Sequence, residues 1–155
     1  MKMRQLAILA SIIAFTACNP ESKKENEMSS NPLLMTWDTP FGVPPFDKIK
    51  DSDYLPAFEY AMNKQNEEID AIVNNNDVLT FENIIVAYEL SGSDLSRVSN
   101  VFYAVQTANT NDNLKKTAKT IAPELSKHSD NILLNKPLFD RIKAINDESE
   151  NLNLN

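Results

Sequence analysis

His128 is the one histidine among 155 residues. A hydrolytic zinc centre of the H-E-x-x-H kind needs two, one helical turn apart, with a glutamate between them as general base. These residues do not spell that centre. As a lone zinc ligand His128 would need three partners, and Glu124 and Asp130 do not complete a set. It falls on the same seam as Leu114, Ile121 and Leu125, which reads as a helix position at the edge of a core. Glu67, Glu68 and Asp70 read as a solvated helix face rather than a catalytic carboxylate pair. Ser91-Gly92-Ser93 is a helix boundary, not a nucleophile elbow, because no strand precedes it and no general base is near. No residue is therefore assigned a catalytic or metal-ligating role. Cys18 is the exception to structural readings, as a lipid attachment site.

Residues 1–17 have the form of a signal peptide. Lys2 and Arg4 make a basic start, and Leu6 to Ala17 is apolar and uncharged. That stretch is shorter than the ~20 residues a spanning helix needs. It ends in Phe15-Thr16-Ala17-Cys18, which resembles a lipobox with Phe15 in place of the usual leucine. An ordinary secretory signal with an incidental cysteine is the alternative. Cys18 is the only cysteine, so once acylated it leaves none for a disulfide. Residues 18–30 are polar and charged, as a flexible tether should be. Cleavage before Cys18 would remove two basic groups and no acid, taking 15 basic against 22 acidic to 13 against 22. The net charge becomes −9 rather than −7. That opposes binding to nucleic acid or anionic lipid. The membrane partnership expected is through the lipid anchor, at the outer membrane, with the body in the periplasm or outside.

The elements that would carry any site are helical. Residues 31–50 hold four prolines between Asn31 and Pro45, interleaved with Trp37, Phe41 and Val43. Proline at that density forbids a regular helix, so the reading is an extended arm anchored by its aromatics, with a disordered linker as the alternative. Residues 51–146 then show 3–4 residue apolar spacing. Leu55, Phe58, Met62, Ile69, Ile72 and Val73 mark one face, with a polar gap at Gln65. Asp51 or Ser52 can cap, and Pro56 falls in the first turn, where a missing N–H costs nothing. Thr80 caps Phe81, Ile84, Ile85 and Tyr88; Leu95, Val98, Phe102 and Val105 follow after the Ser91–Ser93 break. Leu114 to Ile132 continue the pattern through Pro123, which predicts a kink near Thr120 or a break. Asn135-Lys136-Pro137 opens a last short helix with Leu138, Phe139, Ile142 and Ile145. Residues 147–155 are a polar tail. The fold class is all-α: an extended proline-rich arm, then four to five packed helices.

Several stretches in order carry a resemblance. They are Asn31-Pro32-Leu33-Leu34, Pro40-Phe41-Gly42-Val43-Pro44-Pro45-Phe46-Asp47-Lys48-Ile49, Tyr54-Leu55-Pro56-Ala57-Phe58-Glu59, Thr80-Phe81-Glu82-Asn83 and Ser96-Arg97-Val98. Ala108-Asn109-Thr110-Asn111-Asp112, Ile121-Ala122-Pro123, His128-Ser129-Asp130 and Leu138-Phe139 complete the series. Together they resemble the N-terminal segment of bacterial peptidyl-dipeptidases (dipeptidyl carboxypeptidases), relatives of oligopeptidase A and thimet oligopeptidase. The resemblance covers roughly residues 31–146. It implies a large helical zinc metallopeptidase in which two lobes enclose a channel and dipeptides are released from the C-terminus of short peptides. It places zinc in the C-terminal half, so this segment would be the first part of a lobe walling the channel. None of the family's catalytic residues maps onto this sequence.

The resemblance therefore implies a truncated N-terminal part of a lipoprotein metallopeptidase, inactive alone. The other readings are a lipid-anchored helical module that binds a partner, such as a separately encoded C-terminal catalytic part, and a stand-alone hydrolase with an unrecognised site. Zinc and short peptides are expected only of a full-length enzyme.

Overall fold

The structure, a computed structural model, describes residues 30–148. Cys18, the signal, most of the tether and residues 149–155 lie outside the described residues. Those described are helical with no strand, which bears out the all-α expectation. The main helices are α1 (Asp51–Asn74), α2 (Ala87–Leu90), α3 (Ser93–Ala108), α4 (Asp112–Leu133) and α5 (Lys136–Asp147). A π-helical turn, Glu82–Val86, runs straight into α2, and a 3-10 turn, Pro40–Gly42, lies in the arm.

Helix α1 is the spine, and each of the other four helices packs on it. Its first turn sits where Lys50 leaves extended backbone, and the Asp53 carboxylate accepts the Lys50 N–H at 2.8 Å. Lys50, rather than Asp51 or Ser52, occupies the cap position. Pro56 is consequently the sixth helical residue, not part of the first turn. Its missing N–H leaves the carbonyl of exposed Ser52 to solvent.

Two apolar clusters lie along this spine. The first holds Leu33, Tyr54, Ala57, Phe58, Val98, Val101, Phe102, Leu114 and Ile121. Phe102 is its pivot, edge-on to Tyr54 at 5.1 Å and to Phe58 at 5.4 Å between ring centres. The second holds Ile69, Ile72, Ile84, Ile132, Leu138 and Ile145. Since Tyr54 to Ile72 on α1 run alongside Leu114 to Ile132 on α4, those two helices are parallel. Helix α3 runs antiparallel to α1 and packs on it, with its start beside Gln65 and Phe102 beside Tyr54.

Local chemistry sets the boundaries. Thr80 and Asn83 exchange hydrogen bonds reciprocally: Asn83 N–H to Thr80 Oγ1 at 3.1 Å, and Thr80 N–H to Asn83 Oδ1 at 2.9 Å. Asn111 caps α4 through Leu114 N–H at 2.9 Å, and Asn135 caps α5 through Leu138 N–H at 3.0 Å. Pro123 does not break α4, which is continuous from Asp112 to Leu133. Pro123 and Lys119 are both exposed, so water can meet the carbonyl that the missing N–H leaves free, and packing on both sides outweighs the proline penalty.

The arm is held at its two ends. Leu33 is fully buried. Asn31 donates to the Asp53 carbonyl at 2.9 Å and accepts the Leu33 N–H at 3.0 Å. Trp37 and Ile49 pack on the first cluster. Phe41 and Val43 do not anchor it: both are exposed, Phe41 completely.

Candidate functional site

Between the two apolar clusters lies a polar seam. Gln65 on α1 and His128 on α4 both occupy core-facing positions where an aliphatic residue would continue the stripe. They meet there, His128 Nε2 to Gln65 Oε1 at 2.8 Å. With the amide in that orientation, Nε2 carries the hydrogen and donates. His128 is buried, and burial holds its imidazole below the ordinary value of 6.5, so the ring is neutral at pH 7.

Gly92 closes the seam. Its φ of +72° is left-handed backbone that favours glycine. A Cβ there would lie 2.3 Å from the Gln65 amide nitrogen. Its N–H donates to Glu68 Oε2 at 2.8 Å. Glu68 thus leaves the solvated face expected of it and holds the start of α3, while Glu67 and Asp70 are exposed as expected. The four residues are joined by two hydrogen bonds and a close contact that align the helices.

A second cluster fastens the arm. Asp94, near the start of α3, takes Lys64 from α1 on one oxygen and Arg97 on the other, the latter at 2.8 Å. The hydrogen bond to Asp94 raises the Lys64 pKa above its ordinary value. The Arg97 guanidinium lies 5.3 Å from the Trp37 ring centre, a cation–π contact. The Trp37 indole N–H donates to the Pro32 carbonyl at 2.8 Å. Trp37 therefore serves as the aromatic anchor that the arm requires.

An open groove lies at the C-terminal end of α1, lined by Val73, Asn75, Asp77, Leu79, Pro137 and Arg141. Arg141 reaches across it and donates to the Asn75 carbonyl at 2.7 Å. A cation at a helix C-terminus complements the helix dipole, and the bond ties α5 to α1.

Among the described residues no group of three or more His, Cys, Asp or Glu is arranged to hold a metal. The donor set does not fit zinc, because His128 is committed to Gln65 within the seam and no second imidazole exists in the sequence. No helix of the described residues is long and apolar enough to cross a membrane. Cys18, the one residue assigned a functional role from sequence, lies outside the described residues.

The comparisons with known proteins give this framework its kinship. Dipeptidyl carboxypeptidase of Salmonella typhimurium is 42% identical over 127 residues, 82% of this chain and 19% of that protein. Over that stretch the chain is a relative of dipeptidyl carboxypeptidase. The Escherichia coli protein of the same name is 39% identical over 124 residues, 80% of this chain and 18% of its own length. Oligopeptidase A of Escherichia coli is more distant, 25% identical over 126 residues, 81% of this chain and 18% of that protein. No protein-family model matches. The chain spans about a fifth of the length of the curated relatives it matches.

Proposed function

We propose that this chain serves as the N-terminal helical portion of a peptidyl-dipeptidase, a lipid-anchored zinc metallopeptidase that releases C-terminal dipeptides from short peptides. Its part is scaffolding: the arm and helices wall the substrate channel, and the zinc chemistry belongs to residues outside this sequence. The observation that carries the reading is 42% identity to dipeptidyl carboxypeptidase across 82% of the chain, in a sequence holding a single histidine. The helix-aligning roles of Gln65, Glu68, Gly92 and His128 support it, since His128 pairs with Gln65 and the Gly92 N–H with Glu68, each bond joining two helices or a helix start.

The test replaces the matching fifth of the Salmonella typhimurium enzyme with residues 31–148 of this chain. The chimera is expected to release C-terminal dipeptides from a short blocked peptide, sensitive to a zinc chelator. The present chain assayed alone is expected to release none. Chelator-sensitive release by this chain alone would overturn the reading in favour of a stand-alone hydrolase, and a folded but inactive chimera would also count against it.

The anchor is part of the same proposal and rests on Phe15-Thr16-Ala17-Cys18. Cells fed labelled palmitate should label this protein and not its Cys18→Ser variant, and the label should fractionate with the outer membrane. An unlabelled protein recovered in the soluble fraction sinks the anchor.

A further inference from the structure

Phe41 is the least expected side chain in the structure. It is a phenylalanine, fully exposed to solvent, in left-handed backbone at φ +61°. A non-glycine residue there is strained, and an aromatic side chain in water recovers nothing locally. Gly42 follows, also left-handed at φ +66°, so the chain reverses and displays the ring at its tip. Val43 and Phe46 are exposed beside it in sequence, each about half.

The loop that carries them is preorganised. Pro40, Pro44 and Pro45 restrict its backbone. The Gly42 N–H bonds to the Thr39 carbonyl at 3.0 Å, the Thr39 hydroxyl donates to the Val43 carbonyl, and the Lys48 N–H reaches the Pro45 carbonyl at 2.9 Å. Both ends are fastened, through Leu33 and Trp37 before it and Ile49 after it. A flexible linker would need none of this. A rigid loop with buried ends and an apolar tip has the build of a docking element whose ordering cost is met in advance.

Resting on the function proposed above, we propose that the Phe41 tip, with Val43 and Phe46, is a docking plug for the catalytic remainder of a peptidyl-dipeptidase. The matched relatives extend about five times the length of the aligned stretch, so a large further body exists in that architecture for this surface to meet. A second copy fits less well: 22 acidic against 15 basic residues make two such chains repel. The same charge disfavours an anionic lipid surface as the occupant.

The experiment compares Phe41→Gly in two settings, the present chain and the chimera described above. Glycine relieves the left-handed strain and removes the ring. In the present chain the thermal midpoint should hold steady or rise by roughly 1–3 °C. In the chimera it should fall by roughly 3–6 °C, with dipeptide release lost in step upon heating. Equal falls in both settings would show that Phe41 packs within this segment, and no change in the chimera would show that nothing seats on the tip; either overturns the plug. So would Phe41-dependent dimerisation of the present chain by light scattering, or Phe41-dependent sedimentation with phosphatidylethanolamine–phosphatidylglycerol vesicles. A chimera that is inactive with Phe41 in place is a different failure, that of the function reading itself.

Discussion

Gly92 and His128 show how single residues decide the register of this bundle. Gly92 combines left-handed backbone with a close approach to the Gln65 amide, which a methyl group there would push away from His128. Gly92→Ala should therefore destabilise by about 1–3 kcal/mol, read as a lowered urea midpoint with unchanged slope. His128 makes a pH prediction. Its pKa is lowered by burial from the ordinary 6.5, so the unfolded chain binds the proton more readily than the fold does. The His128 contribution is fully present above about pH 6.5, is lost as pH falls from there through the depressed folded value, and levels off below it. Urea melts at half-unit steps between pH 7.5 and 5.5 should show that loss, and His128→Gln should flatten it. A slope that survives the substitution assigns it to other groups. These contacts were only half legible in the sequence. Gln65 stood out as a gap in an apolar stripe and His128 as a polar residue on a seam. Their pairing spans 63 positions, and no local periodicity encodes it.

Helices follow the apolar spacing closely because burial on α1 selects their faces, whereas boundaries depend on capping chemistry that the sequence states less plainly. Asn111 and Asn135 occupy the cap positions of α4 and α5, and each accepts the third N–H of its helix. Asn111 does more: it also donates to Asp51 at 2.9 Å, joining the starts of α4 and α1. Asn111→Ala should thus cost about 1 kcal/mol or somewhat more, with Asn111→Asp recovering the cap but not the donation to Asp51. Circular dichroism melts of the two variants would separate these parts; identical losses would show that the Asp51 contact carries most of the effect. Ala57 and Ala61 were missed as core positions although both are buried. Alanine gives a weak apolar signal. Of the kink or break that the sequence marks at Pro123, the break does not occur: the helix runs through the proline, which lies on an exposed face.

At the scale of the whole molecule, the described residues hold two apolar clusters that share α1 and α4, with the Gln65–His128 bridge between them. The first cluster has three aromatic rings in edge contact and the buried foot of the arm. The second is aliphatic and is completed by α5, a twelve-residue helix. Helices that short are marginal without tertiary support. The end of the molecule that contains α5 should therefore open before the other. Ile145 is buried in the second cluster, and Ile145→Ala should remove about 2–5 kcal/mol from it. If the clusters open separately, amide exchange in that variant should accelerate across Lys136–Asp147 and near Ile132, while amides around Tyr54, Phe58 and Phe102 keep their protection. Phe102→Ala, which takes about 3–5 kcal/mol from the first cluster, should instead accelerate exchange throughout α1 and α3 and release the arm. Uniform acceleration in both variants would mean that α1 transmits the loss along its full length and the clusters unfold as one unit. The divided outcome would give this segment a firm end holding the arm and a looser end around α5.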